Sequence, residues 1–164
     1  MKIIAVDPGY DRVGIAILER DYAPGSRSGE KWIYSETFQT DKSDELNERL
    51  RQVGQRVEDL ALEHAVEYLA IETLFFTNNQ KTAMAVAQAR GIIMYAAQKS
   101  GAKIVEFTPL QIKSAVAGNG RADKKAVIDM TKRLIAIPDT TRLDDEYDAV
   151  ACGLTFFAHY RLGQ

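Results

Sequence analysis

The chain is short of the features that mark special protein classes. It has one cysteine in 164 residues, so it forms no internal disulfide and reads as a protein of a reducing cytosol. Four prolines and 11 glycines are too few for a collagenous or low-complexity chain. The two histidines, His64 and His159, stand isolated and read as surface residues rather than metal ligands. No apolar run approaches the roughly 18 residues of a membrane span. The opening Met1-Lys2-Ile3-Ile4-Ala5-Val6-Asp7 sets an acid where the apolar region of a signal peptide would still be running. These absences predict a cytoplasmic protein with no membrane partner. Charge of neither sign dominates: 21 Lys and Arg face 23 Asp and Glu, a net of −2 that argues mildly against a nucleic-acid partner.

What is present is an ordinary globular composition, 46% hydrophobic and 27% charged, which excludes disorder. The length suits one domain spanning 1–164, able to bury about 70% of the surface its unfolded chain exposes. The distribution of charge says more than its sum. Asp41 to Glu72 carries nine acids and four bases, a net of −5, while Lys99 to Arg133 carries eight bases and three acids, a net of +5. A weakly acidic chain can therefore present a basic face.

The pattern predicts strands at 2–7, 13–19 and 31–40, joined by a Pro8-Gly9 turn and a hairpin loop at 22–30. In the third strand Trp32, Tyr34, Glu36 and Phe38 alternate with Ile33, Ser35 and Thr37. A helix follows at 43–64, then a strand at 67–72. A long helix capped by Asn78 or Asn79 runs to about Ser100, where Gly101 stops it. A strand at 103–107 leads to a short helix opened by Thr108-Pro109. Gly118-Asn119-Gly120 is a loop, and helices at 123–136 and from Asp144 to about Arg161 complete the chain. A three-strand meander followed by alternating helices and strands gives an α/β protein: a mixed five-stranded sheet flanked by helices, the element order of the ribonuclease H-like fold.

Four acids stand where chemistry would use them. Asp7 and Glu72 each end an apolar strand (IIAV and YLAI). Asp145 and Asp148 lie three apart and share a helix face. Glu146 points elsewhere, and Asp144 is a candidate N-cap. If the two strands run in the same direction and the helix packs over their ends, the four carboxylates converge. Convergent carboxylates repel unless a cation intervenes, and Mg²⁺ takes such hard oxygen ligands. Two such ions can clamp the attacking and leaving oxygens of a phosphodiester displacement. Either acid feature alone is more often a solvated surface or a cap.

The chain resembles the RuvC family of Holliday junction resolvases over nearly its whole length. The resemblance is carried by Val6-Asp7-Pro8-Gly9 with Gly14, Ala70-Ile71-Glu72 with Phe75, Gln88-Ala89-Arg90-Gly91, Gln111-Ile112-Lys113, Gly118-Asn119-Gly120-Arg121-Ala122-Asp123-Lys124 and Asp145-Glu146-Tyr147-Asp148-Ala149. It implies a homodimeric, Mg²⁺-dependent crossover junction endodeoxyribonuclease. Such an enzyme nicks two strands of a four-way DNA junction symmetrically, leaves 5′-phosphate and 3′-hydroxyl ends, and acts in recombination and repair. It further implies metal ligation and catalysis by Asp7, Glu72, Asp145 and Asp148, with Asp7 bridging two ions and Mn²⁺ able to substitute. Phe75 matches an aromatic that stacks on an unpaired base, and Lys113 and Lys124 match basic residues near the scissile backbone. A branch-migration motor complex is a partner in bacteria. The family also places the Ala-rich helix from Asn79 at the dimer interface.

Residue chemistry adds Arg121 and Lys125 as phosphate contacts, and glycines 118 and 120 as points where DNA could approach the backbone. The adjacent Phe75 and Phe76 divide into a base-stacking ring and a core plug, and Cys152 reads as core. Two features depart from the family: Tyr10, where a small hydroxyl residue is more usual, and the long 21–30 hairpin loop. Two alternatives stand beside this reading: another ribonuclease H-like nuclease acting on RNA or RNA–DNA hybrid, and a non-catalytic junction-binding scaffold.

Overall fold

The computed structural model describes residues 1–21, 29–74, 80–138 and 143–160. The strands are β1 (Lys2–Asp7), β2 (Arg12–Glu19), β3 (Lys31–Gln39), β4 (Tyr68–Glu72) and β5 (Lys103–Phe107). The helices are α1 (Leu46–Glu63), α2 (Gln80–Lys99), α3 (Pro109–Ala117), α4 (Lys124–Leu134) and α5 (Asp144–His159). The strands form one sheet in the order β3-β2-β1-β4-β5. β1 pairs antiparallel with β2 and parallel with β4, and β4 pairs parallel with β5. The expected mixed sheet is what the chain builds.

The apolar runs IIAV, VGIAIL and LAI are continuous because both faces of the central strands are covered. On one face Ile4, Val6, Ile15, Ile17, Leu69 and Ile71 pack under α1 and α2, which supply Val53, Val57, Leu60, Ile93 and Ala97. On the other, Ile3, Ala5, Ala16, Leu18 and Ala70 pack under α3, α4 and α5, with Phe156 and Phe157 as the largest side chains. Each such large buried side chain contributes roughly 1.5–3 kcal/mol of transfer free energy. Cys152 is buried in this second layer, as its place on the apolar run of α5 predicts.

The helix signals operate as expected in α3. Thr108 accepts from the Gln111 amide, and the Gln111 side chain accepts from the Thr108 amide in a capping box, with Pro109 at the first turn. Gly118 closes the helix at φ +70°, and Gly120 packs so closely on Leu110 and Ser114 that a Cβ would lie 2.9 Å from each. Both glycines thus have a structural reason that owes nothing to DNA. Most of the small residues of α2 are likewise explained within the chain: Ala85, Ala89, Ala96 and Ala97 are buried against its own layers. The 22–28 part of the hairpin loop, Asn78, Asn79, Phe75, Phe76 and residue 161 lie outside the described residues.

Three expectations need correction. The alternation assigned to β3 places Trp32 with Tyr34, Glu36 and Phe38. The β2–β3 ladder instead shifts register between Ile17 and Leu18. Trp32 therefore packs on the α5 side, while Ile33, Tyr34 and Phe38 pack on the α1 side. A bulge inverts the facing of everything beyond it. Asp144 is not the N-cap of α5; Leu143 is, and Asp144 lies in the first turn. His64 is half-buried and stacks on Tyr34 at 6.2 Å.

Periodicity also missed Arg49, which is buried on α1. Its guanidinium donates to Thr40 Oγ1 at 2.9 Å, pairs with Asp11 and stands 4.9 Å from the Tyr10 ring centroid. It ties α1 to the turn that follows Asp7. Arg49→Ala is expected to lower stability by about 1–3 kcal/mol, the range for hydrogen bonds to a charged group. Chemical denaturation checks the value, and amide exchange is expected to quicken in residues 9–12 before it does in β1.

Candidate active site

The site is assembled at the carboxyl ends of β1 and β4. Their parallel register sets Val6 opposite Ile71, so Asp7 and Glu72 leave the sheet side by side. Side chains alternate along a strand. Val6 and Ile71 face α1 and α2, so Asp7 and Glu72 face the opposite layer, where α5 lies. Asp145 and Asp148 project from the first turns of α5.

That approach depends on Gly14, the β2 partner of Asp7. A Cβ on Gly14 would stand 1.9 Å from the Asp145 carbonyl oxygen and 3.3 Å from Asp7 Cβ. Only a residue with no side chain lets the acidic end of α5 sit against the strands. Glu146 turns away from the pair, as expected, but it is buried rather than solvated: it accepts from Ser35 Oγ at 2.5 Å, and Ser35 Oγ accepts from Trp32 Nε1 at 2.7 Å. This chain of bonds anchors the start of α5 to β3.

The electrostatics follow from crowding like charges at the edge of a core. The Asp7 carboxyl is pushed up to about 8, first by burial and then by the charges of Asp148, Glu72 and Asp145, with Lys124 opposing. Glu72 rises to about 7, again through burial and then Asp148, against the pull of Lys113. Burial also raises Asp148, partly offset by Lys124. Lys124 Nζ lies 3.0 Å from Asp148 Oδ2 and 3.4 Å from Asp144 Oδ2. Its burial works to lower its pKa, but these carboxylates outweigh it and leave the ammonium above its usual value.

A cavity of about 310 Å³ opens beside the acids, lined by Glu72, Pro109, Ile112, Lys113, Lys124, Val127 and Asp148. Lys113 and Lys124 enter it from α3 and α4. Arg121 and Lys125 are exposed next to Lys124 in sequence and do not line it. Two arginines with no role assigned from the sequence also contact the acids' surroundings. Arg90 of α2 donates from Nε to the Glu72 carbonyl at 3.2 Å and pairs with Glu106. Arg12 of β2 places Nε 3.3 Å from Asp145 Oδ2. The signal for Arg12 was available, since it stands two residues before Gly14 on the same strand face.

The donor set fits a hard divalent cation. It offers only carboxylate oxygens, two of them held by burial and then by their neighbours' charge well above the usual carboxylate range, and Asp145 Oδ2 is buried without a hydrogen bond among the described residues. As positioned, no three of these groups close on one point at ligating distance among the described residues. A cation drawing the side chains inward would relieve their repulsion.

These shifts have a sign. Asp7 and Glu72 keep protons in the cation-free fold up to about pH 8 and 7, whereas their ordinary values are 3.8 and 4.5. Between those limits the folded state binds more protons than the unfolded one, so stability falls as pH rises from about 4 to about 8 and then levels off. In EDTA, the Tm is expected to decline across this window. Asp7→Asn is expected to flatten the decline and raise the Tm at pH 8.5 by roughly 4–8 °C, about 2 kcal/mol. Calorimetry across pH checks both.

Comparison with known proteins agrees with this geometry. Residues 3–156 match the family model described as crossover junction endodeoxyribonuclease RuvC. A protein of that name from Syntrophomonas wolfei is 34% identical over 163 residues, covering 99% of this chain and 91% of its own length. One from Thermosipho melanesiensis is 39% identical over 153 residues, covering 92% and 93%. The solved structure of Thermus thermophilus RuvC in complex with Holliday junction substrate superimposes with a TM-score of 0.88 at 26% identity, covering 99% of this chain and 96% of that one. With four carboxylates gathered at the end of a ribonuclease H-like sheet and matches of this length and identity, the chain belongs to the RuvC family of crossover junction endodeoxyribonucleases.

Proposed function

We propose that this protein resolves four-way DNA junctions by paired, Mg²⁺-dependent nicks, acting as a homodimer in the cytoplasm. The single observation that carries the reading is the gathering of Asp7, Glu72, Asp145 and Asp148 beside a cavity flanked by Lys113 and Lys124. Mg²⁺ bound at these carboxylates would polarise the scissile phosphate and make a water nucleophilic near neutral pH. Asp7, which feels the charge of all three other acids, would hold the metal together with Glu72, Asp145 and Asp148. Lys113 and Lys124 bring positive charge to a cavity wall, where a phosphodiester gaining charge in its transition state is stabilised. Arg121 and Lys125 extend that charge outward along the path of a DNA arm. Phe75, just beyond Glu72, takes the stacking role, worth about 1–3 kcal/mol per base. The whole of residues 1–164 acts as one nuclease domain, and a branch-migration motor delivers the junction.

Dimerisation is supported by α2. Its outward face carries Met84, Gln88, Gly91 and Tyr95 at helical spacing, with Met84 69% and Tyr95 64% exposed. Exposed large side chains beside a glycine fit a helix that meets its own copy. The double variant Met84→Glu, Tyr95→Glu is expected to elute as a monomer in light-scattering chromatography with its circular dichroism unchanged.

The deciding experiment incubates labelled four-way junctions, linear duplex and RNA–DNA hybrid with the protein in Mg²⁺ or EDTA, beside Asp7→Asn. Paired, ligatable nicks on the junction alone are expected, lost in EDTA and in the variant. Lys124→Ala is expected to lower the single-turnover rate by about 10²-fold. Junction binding with no cutting under any divalent ion would point to a scaffold. Cutting of the hybrid instead would keep the metal site and discard the substrate.

A further inference from the structure

Two protein cations stand against the acidic turn of α5, and they differ in kind. Lys124 contacts Asp148 at 3.0 Å and Asp144 at 3.4 Å, and it belongs to the basic segment that the proposed reaction uses. Arg12 comes from a different element, as the first residue of β2, and faces Asp145.

The Arg12 contact is close but unlocked. Arg12 Nε lies 3.3 Å from Asp145 Oδ2, yet that oxygen is buried with no hydrogen bond among the described residues. The pair is held by charge without the aligned donor that would fix it. Arg12 is itself half-exposed, while Asp145 is mostly covered, at 52% and 17%. Arg49, which holds the residues just before Arg12, shows what a structural arginine looks like here: buried, bonded to Thr40 and Asp11, and set against Tyr10. Arg49 and the bond from the Thr40 amide to the Asp11 carbonyl at 3.1 Å hold the backbone just before Arg12. The Arg12 side chain is therefore the movable part on a fixed base.

Its position on the sheet is equally pointed. Arg12 shares a strand face with Gly14, the gap through which the Asp145 backbone reaches the strands. Of the two α5 acids read as metal ligands, it meets Asp145, the one that Lys124 does not contact among the described residues.

We propose that Arg12 is an internal counter-cation of the site, which neutralises Asp145 until a divalent ion displaces it and thereby sets the metal affinity. The inference rests on the reading of the four acids as metal ligands. A guanidinium cannot ligate a metal, so cation and Arg12 compete for the same carboxylate oxygen, and the bare site is spared part of its repulsion. An ion pair of this exposure corresponds to about a two- to fivefold change in an equilibrium constant.

The test measures Mn²⁺ binding to the DNA-free protein by loss of the free-ion paramagnetic resonance signal, for the wild type, Arg12→Gln and Arg12→Lys. Arg12→Gln is expected to bind Mn²⁺ about two- to fivefold more tightly. Arg12→Lys, which keeps the charge, is expected to stay near the wild type. Rising salt is expected to narrow the difference between wild type and Arg12→Gln. Equal or weaker binding by Arg12→Gln would overturn the role of Arg12 while leaving the metal site standing. Failure of the wild type to bind Mn²⁺ at all would overturn the metal reading itself. A merely structural role for Arg12 predicts weaker binding in both variants, and that result would also overturn the proposal.

Discussion

The structure is organised around a repulsion. Parallel pairing of β1 with β4 leaves Asp7 and Glu72 no choice but to emerge together, and α5 adds Asp145 and Asp148 from above. Nothing in the packing of the sheet requires four acids at this corner. Burial and like charge both oppose ionisation there, and the raised Asp7 and Glu72 carboxyls record that opposition. A cation bound at this corner, as the proposed function has it, would relieve that opposition.

The neighbours of the corner divide into those that force the acids together and those that make the result tolerable. Gly14 admits the α5 backbone, and the bonds from Glu146 through Ser35 to Trp32 hold the helix start against β3. Arg90 grips the Glu72 carbonyl from the other layer. Against these, Lys124, Lys113 and Arg12 supply positive charge from three different elements. In the proposed reaction DNA would bring further negative charge to the same place, and metal ions bound at the carboxylates would free these protein cations to face the phosphate.

Much of this was legible in the residue order. Acids ending two apolar strands, and an acid pair three apart at the head of an apolar helix, are local patterns, so Asp7, Glu72, Asp145 and Asp148 could be read without coordinates. The Thr108 cap followed by Pro109 and the buried Cys152 were legible for the same reason. The facing of Trp32 was not, because a register shift in β3 is decided by the partner strand. Arg49 and Glu146 were not, because a buried charge looks like a surface charge until partners dozens of residues away, Asp11 and Ser35, are brought to it.

The sequence by itself determined the elements, their order and the acids at their ends, since strand and helix periodicity and capping act over a few residues. Only the tertiary structure decided that β1 and β4 run parallel and adjacent, that Gly14 leaves a gap in the right place for Asp145, and that an arginine from β2 and a lysine from α4 face different acids of one acidic turn. Those outcomes depend on contacts between distant segments, and the raised carboxyl pKa values exist only when burial and several charges act on the same group at once.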